Sequence, residues 1–539
     1  MIFNIKFKIK LNMKIFNRLP NKCLSILLLS LASSVTALGH ETSDYIFHKG
    51  LVYEIHYDSE TPWDGYASLI GCASSMGLGD EYPIEYDLEP DSTIILPTEI
   101  ESEYGVYTLT TILGFGGSQD LKVVYVPPTV TKVGKDAFRG TSLESIYFYD
   151  VNHSNNPITF VESEIDDSYT GGATFQDCKR LKTVEFRRPI NQVTTYMFMG
   201  CSQLENVYFY AVRDLAEKIG VCAFANCVSL KSFSMPNSVK VIGKGAFANC
   251  FNLENVYMSD NITSIGDYAF AECHLLNNLN NSLASVQSLG EAAFLNCWSL
   301  THINLPNVTT IKDFTFYDCR NLSSITLNHV TSFGECSFAG CNKLTSVNLT
   351  KVQSVGKEAF TGGQVSCQIW PPEYFRDSTY CHISCRVDQP MVLEGSLKKI
   401  ILGDAITVLS DYSFSGQIPD TVTCMAPIPP TYNVTLPYES VFNSEAYETS
   451  VLRVPKVVVN DYREATGWSR FVNIVGIEIL GNGDANGDGQ LSISDVTVLI
   501  DQLLGSPAAA FNPVNADVDG DGVVSIKDVT ILIDRLLGS

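Results

Sequence analysis

The chain has 539 residues, of which 45% are apolar and 18% charged, and its formal net charge is -23. That length exceeds a single compact core, so several units are expected, and the composition excludes a disordered chain. The excess of acid repels phosphate backbones and anionic bilayers, which sets nucleic acid aside as a partner.

Residues 1–39 read as a secretory signal peptide. Lys6, Lys8, Lys10, Lys14, Arg18 and Lys22 precede an apolar run from Leu24 to Leu31, and a small-residue stretch ends near Ala37 or Gly39. Met13 offers an alternative start that gives a leader of more ordinary length. A membrane anchor is the competing reading, but a run of eight residues is too short to span a bilayer. Cys23 stands before the run rather than after it, which argues against a lipid-anchored cysteine. No second hydrophobic span follows, so the mature chain is expected outside the cell, secreted or at the cell surface, without a transmembrane segment.

Residues 40–111 are expected to form a β-rich cap, running from Tyr53-Glu-Ile-His to Ile94-Ile-Leu-Pro. From 112 to 420 the chain repeats itself. The pattern Ile-Gly-x-x-Ala-Phe-x-x-Cys-x-x-Leu-x-x-Val-x-Leu-Pro recurs with Phe at 115, 138, 175, 198, 224, 247, 270, 294, 316, 338, 360 and 414, mostly 22 to 24 residues apart. A unit of that size cannot bury its own apolar face, so neighbours must stack into one continuous core, a solenoid. The alternating Leu-x-x-Val-x-Leu portion predicts a strand, with Leu253, Val256 and Met258 inward, then Leu300, Ile303 and Leu305, then Leu344, Val347 and Leu349. The Ala-Phe-x-x-Cys portion packs from the opposite side. Long gaps in the Phe spacing place irregular inserts near 150–172 and 361–396. A second cap, 421–480, closes the core through Val454, Tyr462, Trp468, Phe471 and Ile474.

Eight of the 16 cysteines, Cys178, Cys201, Cys227, Cys250, Cys273, Cys297, Cys319 and Cys341, lie three residues after a repeat Phe. They are expected to form a ladder of buried thiols acting as small hydrophobes, because adjacent rungs point too nearly parallel to pair. Cys367, Cys381 and Cys385 fall in the second insert, where an exported chain could form a bridge, with Cys424 a further candidate; a metal site that includes His382 fits no common zinc spacing.

The array resembles the BspA-like leucine-rich repeats over roughly residues 40–480. The resemblance implies a solenoid of about 12 repeats, each a short parallel strand with turns and short helical segments. It also implies an exported protein of the surface or adhesin type, adhering to a host or microbial surface protein or glycan.

Solenoids bind through outward strand residues, which form parallel columns across repeats. Those positions hold Tyr125, Tyr147, Tyr149, Thr183, Glu185, Asn206, Tyr208, Tyr210, Asn255 and Tyr257, then His302, Asn304, Ser324, Thr326, Ser346 and Asn348. The tyrosines Tyr125, Tyr147, Tyr208, Tyr210 and Tyr257 are the candidate ligand face, since a rigid ring with a polar tip suits protein or sugar contacts. The plainer reading is that Tyr is a good strand former on a solvated face.

The last segment, 481–539, holds two 12-residue loops of calcium-binding type. The first offers Asp484, Asn486, Asp488, the Gln490 carbonyl, Ser492 and Asp495 around Gly489; the second offers Asp517, Asp519, Asp521, the Val523 carbonyl, Ser525 and Asp528 around Gly522. Calcium is a hard cation that takes six to eight oxygens, and this spacing supplies them, which predicts two bound Ca2+ ions. Each loop runs into an amphipathic helix, with Val496, Leu499, Ile500, Leu503 and Leu504 in the first and Val529, Leu532, Ile533, Leu536 and Leu537 in the second, followed by Gly505 and Gly538. Gly481-Asn-Gly483 cannot be an entering helix, so the unit is loop then helix, twice.

This segment resembles the type I dockerin module, a small duplicated α-helical domain that needs calcium to fold and plugs into a cohesin-type domain on another protein. In that family loop positions 10 and 11 steer partner choice, which implies Ile493 and Ser494 in the first copy and Ile526 and Lys527 in the second. The alternative is that the module is only a calcium-stabilised terminal plug.

Catalytic motifs are missing: there is no His-Glu-x-x-His, no Gly-x-Ser-x-Gly, no phosphate-binding glycine loop and no dinucleotide fingerprint. A non-enzymatic recognition or adhesion protein is therefore expected, docked through its calcium module. Two alternatives stay open. One is an accessory subunit of a polysaccharide-degrading, cellulosome-like assembly; the other is a structural surface-layer protein without a specific ligand.

Overall fold

A computed structural model describes residues 41–48, 51–58, 61–72, 92–102, 105–115, 118–150, 156–162, 173–210, 215–279, 283–347, 349–362, 366–367, 385–386, 397–434, 440–506 and 510–537. The expected signal peptide, Asn348, Cys381, His382 and Gly538 lie outside the described residues. The chain forms two compact units, Met1–Leu230 and Lys231–Ser539.

In the first unit an antiparallel meander, β1 (Glu41–His48), β2 (Leu51–Asp58) and β3 (Thr61–Cys72), opens the chain. The next strands are β4 (Ser92–Ile95), β5 (Glu99–Glu101) and β6 (Val106–Ile112), and β3 pairs parallel with β6. From there the repeats feed two parallel ladders. Strands β7 (Leu121–Val126), β9 (Ser145–Phe148), β11 (Thr183–Phe186) and β12 (Asn206–Phe209) continue from β4, while β8 (Lys132–Val133) and β10 (Thr159–Phe160) continue from β6. Register is in phase, so Val124, Ile146, Val184 and Val207 align and are all buried. Strand β10 falls within the insert expected near 150–172. Phe160 is buried there and Asn191 accepts its backbone N–H at 2.9 Å, so part of that insert belongs to the core.

The second unit continues the same scheme. The strand Asn255–Tyr257 pairs with Ser232–Ser234, and His302–Asn304 with Ser324–Thr326, all parallel. Leu253, Val256, Met258, Leu300, Ile303, Leu305, Leu344 and Leu349 point inward as expected, whereas Val347 is only half-buried. In the second insert the register sets Cys367 opposite Cys385 in a short antiparallel pair.

The repeat Phe rings stack along the core. Within the first unit Phe115, Phe138, Phe175, Phe198 and Phe224 are neighbours at centroid distances of 5.0, 5.3, 5.1 and 5.1 Å. In the second unit the stack runs from Phe247 to Phe414 and then to Phe442, 5.3 Å from Phe414, a rung that the expected boundary placed in the cap. The Ala-Phe-x-x-Cys segments are turns, and this, not helix, is how the described array holds its Phe. Most of these turns have two left-handed residues, two positions before and two after the ring, such as Ala292 (φ 51°) and Asn296 (φ 57°) around Phe294. Their amides reach the next repeat: Phe294 N–H donates to Thr315 O at 2.9 Å and Asn296 N–H to Tyr317 O at 2.8 Å, which satisfies buried backbone without strands.

The thiol ladder is buried, and it does more than fill space. Cys297 Sγ donates to Phe270 O at 3.2 Å and Cys319 Sγ to Phe294 O at 3.1 Å, one repeat back in each case, and Cys178 and Cys201 do the same to Phe138 and Phe175. Burial pushes the Cys178 thiol up to about 11. On the residues after Cys250, Cys273, Cys297 and Cys319 a second stack forms, with Phe251, His274 and Trp298 in ring contact and the Arg320 guanidinium over Trp298 at 4.8 Å. The core closes on Trp468, whose indole N–H donates to Pro430 O at 2.8 Å, and on Tyr462, whose hydroxyl donates to Ala426 O at 3.0 Å.

Candidate functional site

The two C-terminal loops fold alike because their acids fasten their own backbones. In the first, Asp484 accepts from Asp488 N–H (3.1 Å) and Gly489 N–H (3.0 Å), and Asp488 from Gln490 N–H (2.8 Å). In the second, Asp517 accepts from Gly522 N–H (2.9 Å), Asp519 from Asp521 N–H (3.0 Å) and Asp521 from Val523 N–H (2.9 Å). Gly489 (φ 83°) and Gly522 (φ 86°) take the left-handed turn that an L side chain resists, and at Gly522 a Cβ would also strike the Lys456 stem.

Position 12 is the anchor of each loop. Asp495 and Asp528 are both fully buried. Asp495 accepts from Asn486 N–H (3.1 Å) and Ser492 N–H (2.8 Å), and Asp528 from Val518 N–H and Ser525 N–H (2.8 Å each). Ser492 is the N-cap of the helix Ile493–Leu503 and Asp495 completes its capping box, so one residue pair starts the helix and shapes the loop. Ser525 and Asp528 repeat this before the helix Ile526–Leu537. Gly481 N–H donates to Asp517 O (2.7 Å) and Arg535 donates to Gly481 O (3.0 Å) and Val518 O (3.2 Å), which ties the loops together over a core of Ala485, Val496, Leu499, Ala516, Val518, Val529 and Leu532.

These residues fit a calcium ion. Carboxylate oxygens of Asp517, Asp519 and Asp521 lie within 4.8 Å of one another. Asp517 is 3% exposed and its buried Oδ1 has no hydrogen-bond partner, an oxygen that burial leaves in want of a cation. Burial, followed by the neighbouring acids, pushes its carboxyl above the usual range. Bound calcium would take these oxygens and relieve that repulsion, leaving the chain to supply the fixed loop and the helix start.

The remaining candidates of this module lie at its surface. Ile493 and Ile526 are 71% and 70% exposed, and Ser494 and Lys527 stand beside them. The exposed apolar residues come in matched pairs: Ile500 with Ile533 and Leu504 with Leu537 lie along the same two helix faces as Ile493 and Ile526. Of the helical apolar residues, Val496, Leu499, Val529 and Leu532 are the fully buried ones; two copies of an apolar stripe face outward instead.

On the repeat array the structure brings four of the five candidate tyrosines onto one sheet. Register aligns Tyr125, Tyr147, Glu185 and Tyr208 in a column. The Tyr125 and Tyr147 rings stack at 5.0 Å, and Tyr208 and Tyr210 at 5.7 Å. Arg187, which sequence reasoning missed, joins the two halves. Its guanidinium lies 5.9 Å from the Tyr149 ring and 5.6 Å from the Tyr210 ring, and donates to Glu185 Oε2 at 3.0 and 3.2 Å. The outward residue after Phe186 was the available signal. Tyr257 belongs to the second unit, where its strand partner is Ser234, so it extends no tyrosine column there. His302 and Asn304 line a small notch with Asn277 and Asn278.

Comparison with known families finds the BspA type Leucine rich repeat region in six copies, over residues 113–211, 168–285, 210–306 and 276–386, and the Dockerin type I domain over residues 482–537. Among solved structures, the chain is similar to a leucine rich cell surface protein of Faecalibacterium prausnitzii, at 16% identity and a TM-score of 0.35, covering 74% of this chain and 96% of that one. It is similar also to a leucine-rich repeat protein of Bacteroides ovatus, at 18% identity and a TM-score of 0.34, covering 75% of this chain and 100% of that one. The pneumococcal vaccine antigen PcpA aligns at 14% identity with a TM-score of 0.34, covering 82% of this chain and 100% of that one. No curated protein matches the chain.

Proposed function

We propose, from the premise that this chain belongs to the BspA-type leucine-rich repeat family and ends in a type I dockerin domain, that it is an exported recognition protein with two working ends. Both families are built from interaction modules, typically non-catalytic and extracellular or at the cell surface. No helix among the described residues is long and apolar enough to cross a membrane. The repeats hold a protein or glycan of a host or microbial surface on the tyrosine sheet, and the dockerin plugs into a cohesin-type partner once its two loops bind calcium.

The observation that carries this reading is the duplicated loop. Each copy spends a buried Asp on the start of a helix whose first exposed residues are Ile493-Ser494 or Ile526-Lys527, so metal site and docking surface are built from adjacent positions. The test is a pull-down from surface and secreted fractions, using the mature chain with and without residues 481–539, in calcium and in chelator. A partner captured only by the full chain and only in calcium supports docking. A partner kept by the truncated chain in chelator places recognition on the repeats. Changing Tyr147 and Tyr208 together to Ser is expected to abolish repeat binding with the fold intact; unchanged binding removes the tyrosine sheet from the proposal.

A second reading makes the chain an accessory subunit of a polysaccharide-degrading assembly, and the dockerin match is what favours it. A cohesin partner carrying glycosidases in the same pull-down would select it.

A further inference from the structure

The two calcium loops differ where their position-3 and position-11 side chains meet. In the first loop Asn486 Nδ2 donates to Ser494 Oγ at 3.2 Å, a contact between neutral groups. In the second the same two positions are Asp519 and Lys527, and the ammonium is in direct contact with the carboxylate. The first loop therefore carries three carboxylates, Asp484, Asp488 and Asp495, while the second carries four, Asp517, Asp519, Asp521 and Asp528, offset by one ammonium. The formal charge of both loops is the same. Of the neighbouring cations, Lys456, whose stem covers Gly522, faces Glu478 at 3.8 Å, and Arg535 bonds Gly481 O and Val518 O between the loops.

Calcium affinity in such loops is tuned by the charge of the ligand set. An extra carboxylate by itself would draw the ion more tightly into the second loop, and the loops would then fill at different calcium concentrations. We infer that the Asp519–Lys527 pair levels the two loops, so that both helices of the docking module are set over one calcium range. Lys527 is thus a positioning residue for the metal site as well as an exposed residue of the docking surface. The inference rests on the calcium reading of the module but not on any cohesin partner.

The experiment is calorimetric titration of calcium into the metal-free full-length chain, comparing wild type with Lys527→Ser, Lys527→Arg, Asp519→Asn and the double variant Asp519→Asn/Lys527→Ser. Lys527 is 64% exposed at its side chain, so its removal leaves the packing alone. Wild type is expected to fill two sites of similar affinity. Lys527→Ser should tighten one site on the order of tenfold and split the titration, Asp519→Asn should weaken one site by a similar factor, and the double variant, which reproduces the first loop, should restore the match. Lys527→Arg should behave as wild type. Two wild-type sites with an unchanged Lys527→Ser titration would overturn the levelling role and leave the calcium reading standing. No calcium uptake by wild type would overturn both.

Discussion

Replacing Phe294 with Ala tests whether the stacked rings carry the solenoid. Phe294 is fully buried and lies 5.4 Å from Phe270 and 5.5 Å from Phe316, with ring planes 8° and 2° apart. Truncating a buried Phe costs about 3–5 kcal/mol. Two aromatic contacts, each worth roughly 0.5–1.5 kcal/mol beyond area, put the expected loss near the top of that range. Phe294→Leu keeps most of the volume and gives up both stacks, so a loss of about 1–2 kcal/mol is expected. Because each repeat touches only its neighbours, the damage is local first. Trp298 sits in the same turn, where its indole donates to Asp318 at 3.2 Å, and its fluorescence during denaturant unfolding is the readout. An Ala variant that costs less than about 1 kcal/mol, or a Leu variant that costs as much as Ala, would refute the stacking account.

Three further outcomes are expected. Chelator should remove the dockerin transition from a calorimetric scan and leave the repeat transition, since acids crowded in the loops lose their counter-ion; one unaffected transition would count against independent calcium-dependent folding. The ladder thiols should resist a thiol reagent at pH 8 until the chain unfolds. Cys178, raised by burial to about 11 from an ordinary 9.0, holds its proton in the folded state where the unfolded thiol has lost it, so its contribution is complete below pH 9 and on the order of 3 kcal/mol is lost as pH rises toward 11; thermal midpoints flat across that window would contradict this. Trp298→Ala should destabilise the second unit by roughly 2–4 kcal/mol, as His274 and Arg320 lose the ring between them; a neutral result by denaturant titration would make that outer stack decorative.

Much of this protein is written in its sequence because its repeats are local. A recurring Phe with a Cys three residues on and a Leu-x-x-Val-x-Leu tail dictates one turn and one strand, and each must stack on its like. The two C-terminal loops were legible for the same reason: twelve consecutive residues contain the candidate ligands, the turn glycine and the helix cap. Contacts between positions that no local pattern links had to come from tertiary structure. Parallel register decided that Arg187 lies between Tyr149 and Tyr210, that Tyr257 has Ser234 for its neighbour, and that Phe442 continues the stack beyond a gap of irregular length. The hydrogen-bonding role of the thiols was hidden too, since a cysteine in a sequence shows its size and not the carbonyl that lies one repeat away. Periodicity fixes which residues are equivalent, but the pairing of side chains from different repeats depends on the register and turn of the backbone between them.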